Sequence, residues 1–310
     1  MSYKLFNAVI FSITNQCNAQ CHFCIQQCNI CQETKNLDEE VICGAIKQLE
    51  RIHNIQTIGF TGGEPFLDYD RLKRLICLVN QIKKKSVVYT NGFWCKDLET
   101  TKNRLETLKD LGLQTILTSI DSEHQKFVPI ERIKNLLVVC KKIGMEVRVH
   151  SILQKSSINA TISILQELAE ELIGICVTTS SVMLLGSAEK NVSKDDTFPT
   201  IDINNVSCGF GRLSYVDVSG NVYPCCAGDT SKKLCLGNIY NESLVDCLSR
   251  TFENLYFKNI LKKGLQWMMG VAGQNGVIDI YQKYTSECEI CKKIFSADEK
   301  DFKWDSFIEL

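Results

Sequence analysis

Proline is scarce in this chain, at four residues in 310, and a sequence with so few fixed backbone kinks is not a loop-dominated scaffold. An excess of charge is also missing. Thirty-five Lys and Arg stand against 36 Asp and Glu, a net charge of −1, so no broad positive field exists to draw in a phosphate backbone or an anionic membrane. Nucleic acid and membrane are therefore not expected as partners. No run reaches the roughly 18 consecutive apolar residues of a membrane-spanning helix. The opening MSYKLFNAVIFSITNQCN has an apolar stretch too short and too polar at its flanks for a secretion signal, so a cytoplasmic location is expected. Cysteine, by contrast, is abundant, with seventeen residues. Because cytosolic thiols are kept reduced, they read as metal ligands or reactive thiols rather than as a disulfide framework. Hydrophobic residues at 45% and charged residues at 23% match an ordinary globular protein, long enough for one large domain and a smaller one.

Between residues 5 and 185, short β-branched runs alternate with amphipathic stretches. The pattern predicts strands at Phe6 to Ile13, Thr57 to Thr61, Ser86 to Thr90, Thr115 to Ser119, Glu146 to Leu153 and Cys176 to Thr179. Helices are predicted at Asp38 to His53, Tyr69 to Lys84, Thr100 to Leu111, Pro129 to Ile143 and Ile158 to Leu172, with Gly112, Gly144 and Gly174 as C-terminal stops. This succession implies parallel βα units in an α/β fold, either an open doubly wound sheet or a partial barrel, and periodicity does not choose between them. Chemistry is expected at the C-terminal ends of the strands in both. Polar, aperiodic sequence over 186–206 marks a bridging segment between a 1–185 domain and a 207–310 domain. Leu213 to Pro224 reads as a hairpin turning at Ser219-Gly220, followed by two helices and a cysteine-bearing tail.

Cys17, Cys21 and Cys24 form C-x3-C-x2-C in the loop after the first strand, with aromatic Phe23 before the last cysteine. Three thiolates on one loop suit three irons of a cubane and leave the fourth iron open to a small chelating ligand. A structural zinc site would close with four ligands, usually from C-x2-C pairs. The spacing resembles the signature of the radical S-adenosylmethionine (radical SAM) superfamily. Thr61-Gly62-Gly63-Glu64-Pro65 closes the second strand and is similar to the superfamily's GGE motif, which implies that Gly62, Gly63 and Glu64 bind the amino group of S-adenosylmethionine. Asn91 in Thr90-Asn91-Gly92, Ser119 in Ser119-Ile120-Asp121, and Arg148 stand at later strand ends, where amide, hydroxyl and guanidinium suit the ribose and carboxylate. The resemblance covers residues 5 to about 185 and implies a partial (β/α)6 TIM-type barrel.

Cys208-x11-Gly220-x4-Cys225, with Cys288-x2-Cys291 much later, supplies four thiolates from three segments, the count for a fully ligated cluster or a closed zinc site. It resembles the first half of a SPASM domain in its shortened twitch form. This implies a small α+β C-terminal domain with one auxiliary 4Fe-4S cluster besides the first. Cys226 is surplus to that count. On a strand it would point away from Cys225, as a buried apolar thiol or as a source of hydrogen atoms for a carbon radical. Cys43, Cys77, Cys140, Cys176 and Cys247 suit core packing; Cys28, Cys31, Cys95 and Cys235 are not assigned.

Cys17-Asn18-Ala19, Phe66-Leu67-Asp68-Tyr69, Thr90-Asn91-Gly92-Phe93-Trp94 and Tyr223-Pro224-Cys225-Cys226 are together similar to the YydG-type radical SAM peptide epimerases, from which Cys31 is a departure. That resemblance implies a ribosomally synthesised peptide as substrate, Cα hydrogen abstraction, and hydrogen return from Cys226 to give a D-residue. A small donor such as flavodoxin or ferredoxin would supply electrons. The rivals are other radical peptide maturases, which form thioethers or oxidise their substrate, and a non-catalytic metal-braced scaffold.

Overall fold

In the computed structural model, which describes residues 6–28, 33–208, 212–227, 232–253 and 255–297, the run AVIFSIT forms β1 (Ala8–Thr14), buried along almost its whole length. Cover on both faces is the state of an inner strand in a parallel sheet. β2 (Thr57–Gly62), β3 (Lys85–Thr90), β4 (Leu113–Ser119), β5 (Glu146–Leu153) and β6 (Cys176–Ser181) pair with it successively and in parallel. Between them run α1 (Glu39–Gln48), α2 (Tyr69–Gln81), α3 (Leu98–Asp110), α4 (Ile130–Ile143), α5 (Ile158–Glu167) and α6 (Ala169–Leu172). α2 buries Leu72, Leu75, Ile76 and Val79, the i, i+3, i+4, i+7 stripe that turns a helix onto a sheet.

Local chemistry sets the helix ends. Asp38 accepts the N–H groups of Glu40 and Val41 at 2.9 and 3.1 Å to start α1, and Asp97 accepts that of Thr100 at 2.7 Å to start α3. α4 stops at Gly144, whose φ of 66° places it in the left-handed region. The helix expected over Ile158 to Leu172 is instead two, divided at Leu168, whose side chain is buried.

The expected hairpin forms as β7 (Leu213–Val216) and β8 (Asn221–Tyr223), with the Gly220 N–H donating to the Asp217 carbonyl at 3.0 Å. β7 also pairs in parallel with β1, so the later strands extend the first sheet rather than forming one of their own. With β9 (Gly237–Asn238) the order is β6-β5-β4-β3-β2-β1-β7-β8-β9, an α/β sheet that among the described residues does not close on itself. One buried core runs from Phe11 and Leu136 to Tyr215, Met268 and Phe295.

The bridging segment is structured. It holds α7 (Ala188–Asn191), and its Ile201 bridges to Tyr284. α8 (Leu244–Ser249), α9 (Leu255–Gln274) and α10 (Glu287–Ser296) follow, and α10 carries the last two cysteines. Among the described residues, no helix is long and apolar enough to cross a membrane.

Candidate active site

Two glycines at the end of β2 fix the cysteine loop. The Gly63 N–H donates to the Thr14 carbonyl at 2.7 Å and the Glu64 N–H to the Gln16 carbonyl at 2.8 Å. A Cβ at Gly62, which has a φ of +126°, would lie 2.2 Å from the Thr14 oxygen, and one at Gly63 would lie 1.9 Å from the Gln16 oxygen. The sequence suggests that these glycines clear space for a ligand; in the structure they also let the cysteine loop lie directly on β2. Farther along, Glu123 accepts the N–H of His22 at 3.1 Å and pairs with its Nδ1 at 2.9 Å, while the Ser187 N–H donates to the Cys24 carbonyl at 3.0 Å.

Cys17, Cys21 and Cys24 thereby line one cavity of about 380 Å³. Its walls are built from the parallel strands and the turns after them: Gly62 of β2 and Gly63 beyond it, Asn91 after β3, Ser119 of β4, His150 of β5 and Thr178 of β6. Asn91 donates to Asn18 Oδ1 at 2.9 Å, and its Nδ2 lies 3.9 Å from Cys17 Sγ. Burial lifts the Cys17 thiol to about 12, with Cys24 and Cys21 close enough to add to the rise. Cys24 moves the other way, to about 6, chiefly through a hydrogen bond from the Cys28 side chain, and Cys28 lies on the same cavity wall. Thr118 also lines the cavity, and its buried hydroxyl has no hydrogen-bond partner among the described residues. Three grouped thiols facing polar strand ends and an unsatisfied hydroxyl fit an iron-sulfur cluster with a polar organic ligand beside it. Among the described residues, no three His, Cys, Asp or Glu side chains converge tightly enough to chelate a single metal ion.

Two of the residues expected to contact the cofactor are held by partners within the protein. The Glu64 side chain is fully buried, and its carboxylate accepts from the N–H groups of Phe66 (3.0 Å) and Asn91 (2.7 Å) and from the Thr90 hydroxyl (2.8 Å). It joins β2 to β3 inside the protein, within electrostatic reach of Cys17, and burial raises its pKa to about 7. Arg148 is exposed and pairs with Glu146 at 2.7 Å. It stands beside Leu117, near the start of β5, whereas His150, farther along, stands beside Ser119 and lines the cavity. His150 bonds Thr178 Oγ1 at 2.9 Å and Ser180 Oγ at 3.0 Å, and burial lowers its pKa. The signal for His150 is present in the period-2 alternation of β5, because residues 146, 148, 150 and 152 share a face and the last two, toward the C-terminal end, line the cavity.

His124 was also passed over. It follows β4, lines the cavity, and holds its Nδ1 2.8 and 2.9 Å from the two Asp121 oxygens. Burial opposes its charge, but the Asp121 carboxylate, with a contact to Cys21, raises its pKa to about 10.

The second cysteine set also comes together. Cys288 and Cys291 are three residues apart on α10, which Ser286 caps through the Glu289 N–H at 3.1 Å. Burial pushes the Cys225 thiol well up, with Cys291, Cys226 and Cys288 beside it as like charges. Burial likewise lifts Cys288 to about 12, with Cys226 and Cys208 adding to the rise, and lifts Cys291, with Cys208 and Cys288 adding. β8 ends at Tyr223, so strand alternation does not orient the Cys225-Cys226 pair; Cys225 is half-buried and Cys226 exposed. Tyr89, on the cavity wall, has its phenol raised by burial and by Cys226, while Arg148 opposes the rise. Cys31 lies outside the described residues.

Residues 11–193 match the family model described as the Radical SAM superfamily. The chain belongs to the radical SAM superfamily. Residues 208–292 match the SPASM model, described as an iron-sulfur cluster-binding domain. The curated relative YydG of Bacillus subtilis (strain 168), named for peptide biosynthesis, is 26% identical over 301 residues, 94% of this chain and 93% of its own. A crystal structure of BtrN in complex with AdoMet and 2-DOIA shares the fold at a TM-score of 0.54 and 20% identity, covering 89% of this chain and 91% of that one. A structure of anSMEcpe with bound AdoMet and the Kp18Cys peptide does so at 0.57 and 15% identity, covering 81% and 83%. As a radical SAM enzyme the chain uses a 4Fe-4S cluster and S-adenosylmethionine, and its SPASM region implies auxiliary iron-sulfur ligation.

Proposed function

We propose that this radical SAM enzyme is a peptide epimerase that converts L-residues to D-residues in a ribosomally made peptide. Residues 1–185 would form the catalytic part, 186–206 the bridge and 207–310 the auxiliary part. Cys17, Cys21 and Cys24 hold the catalytic 4Fe-4S cluster, and Cys208, Cys225, Cys288 and Cys291 hold one auxiliary cluster. Gly62, Gly63, Asn91 and Ser119 position S-adenosylmethionine along the strand ends. Glu64 supports them from behind, and Arg148 has no part in binding.

When bound, S-adenosylmethionine supplies a primary carbon radical able to take a hydrogen atom from an unactivated C–H bond. The cavity holds the peptide residue with its Cα–H facing the cofactor, and water exclusion by Phe23, Leu117 and Ile152 protects the planar Cα radical left behind. Cys226 gives its S–H hydrogen to the opposite face, forming the new C–H bond and leaving a thiyl radical. One electron from a flavodoxin- or ferredoxin-like donor and one proton from water restore the thiol; an auxiliary cluster held by Cys208, Cys225, Cys288 and Cys291 would supply redox capacity beside it.

The observation that carries this proposal is the cavity in which Cys17, Cys21 and Cys24 meet the strand-end residues Gly62, Asn91 and Ser119. The relative named for peptide biosynthesis lends it support. The test compares wild type with Cys226→Ala on candidate peptides in heavy water, followed by hydrolysis and chiral amino-acid analysis. Wild type is expected to yield D-residues carrying one deuterium at Cα, and the variant none while it still cleaves the cofactor. A product lighter by two hydrogens would replace epimerisation with an oxidative or thioether-forming reaction.

A further inference from the structure

β6 stands at one end of the sheet and pairs with β5 alone. Leu153 of β5 pairs with Ser181, and its carbonyl accepts the Val182 N–H at 3.0 Å. In a parallel ladder this turns the backbone groups of Cys176, Thr178 and Ser180 toward β5 and those of Val177, Thr179 and Ser181 outward. Among the described residues, no backbone group bonds to that outward row. Natural edges are blunted by charge, proline or a bulge. The strand CVTTSS has none of these, its pairing with β5 runs without a register break, and its first four residues are exposed.

Side chains on the two faces of this edge line different spaces. Thr178, with His150 and Ile152 of β5, lines the cysteine-loop cavity. Thr179, with Leu153, lines a second space of about 460 Å³, walled also by Ile158, Phe198 and Ile201, with Ser180 and Ser181 at the tip of the strand. Met183 lines both. An extended chain laid beside β6 sends successive side chains to alternate faces, so with one side chain in the first cavity its neighbour enters the second. A helix offers no such alternation, and β6 of a second copy would bring mainly Thr and Ser hydroxyls to these apolar walls.

We propose that the peptide substrate binds as an added strand along the outer edge of β6, with the residue to be modified in the cysteine-loop cavity and an adjacent apolar side chain, of valine or isoleucine size, in the second space; this rests on the reading of the chain as a peptide-modifying enzyme. Backbone pairing with Val177 and Thr179 supplies affinity for any extended peptide. The two spaces set the register, because a slip of one residue exchanges the side chains between them.

The probe is a set of blocked octapeptides of Ser and Thr carrying one isoleucine at each position in turn, added to anaerobically reconstituted holoenzyme with S-adenosylmethionine. Amide hydrogen exchange along β6 is read by fragmentation mass spectrometry. With the best-binding member, the Val177 and Thr179 amides are expected to exchange at least about fivefold more slowly, the effect of one hydrogen bond each. N-methylation of that peptide at every second residue is expected to abolish binding in one phase and to leave it near its starting value in the other. Replacing its isoleucine by glycine is expected to weaken binding at least about tenfold. No member of the set slowing those two amides, equal loss from both methylation phases, or slowing that follows protein concentration without peptide would overturn the proposal, the last in favour of a second copy. If a member protects β6 while no peptide is chemically changed by the enzyme, the peptide-modifying reading fails and the docking site stands.

Discussion

The backbone N–H of Asn91 donates to Glu64 Oε2 at 2.7 Å, so the carboxylate at the end of β2 orders the turn after β3 that carries the cavity's amide. In Glu64→Gln one carboxylate oxygen becomes an NH2 group, leaving one of these buried donors unpaired, at a cost of about 1–3 kcal/mol at pH 8. Burial raises the wild-type Glu64 pKa from 4.5 to about 7, so the folded chain holds this proton more tightly than the unfolded chain does. Wild-type stability therefore falls as pH rises between those two values and is flat above them, by up to about 3 kcal/mol from this group. Urea unfolding at pH 5 and pH 8 is expected to show this slope in wild type and not in the glutamine variant.

Gly63→Ala places a Cβ 1.9 Å from the Gln16 carbonyl oxygen, a rigid backbone atom, so the cysteine loop must move off β2. The expected outcome is a stability loss of about 1–3 kcal/mol, together with selective loss of iron from the first cluster. Iron counted per chain, with the auxiliary signal as internal reference, checks this.

Arg148 and Asn91 make a contrasting pair. Arg148→Ala removes an exposed side chain paired with Glu146, and stability is expected to stay within about 0.5 kcal/mol, with cofactor affinity unchanged. Asn91→Ala removes a cavity-wall amide, bonded to Asn18, and affinity for S-adenosylmethionine is expected to fall about tenfold, the effect of one or two hydrogen bonds. Equilibrium binding to the reconstituted variants separates the two.

Phe66 and Trp94 stack with ring centres 4.0 Å apart and planes 9° apart, and Trp94 Nε1 donates to Thr90 Oγ1 at 3.0 Å. Trp94→Ala empties a fully enclosed site and is expected to cost about 3–5 kcal/mol in urea unfolding.

That stack also shows how far the sequence could be read. FLDY and NGFW stood out as motifs, and their contact explains them: each supplies one ring of a buried pair behind the cavity. The six strand positions were legible because β1 and β2, covered on both faces, read as short apolar runs and β3 and β5 as alternating ones, and only their ends moved by a residue or two. β7 was legible as a hairpin arm, but its parallel pairing with β1 was not, since local alternation carries no information on which distant strand completes an edge. The loop thiols and strand-end glycines were recognised by type and spacing. Glu64 and Arg148 have the right chemistry for cofactor contact, but their orientation depends on three-dimensional partners, a set of buried N–H groups for one and Glu146 for the other. His150 was within reach of strand counting, whereas the His124-Asp121 clamp is formed by a turn that periodicity does not describe.

The measurement that bears most directly on the account is 5'-deoxyadenosine formation from S-adenosylmethionine by anaerobically reconstituted protein under strong reductant, in wild type and in Cys21→Ala. Wild type is predicted to release 5'-deoxyadenosine and methionine, and the variant to release neither while keeping its auxiliary iron. Wild-type rates of cleavage in Cys21→Ala, or no cleavage by wild-type protein with a full complement of iron, would contradict it.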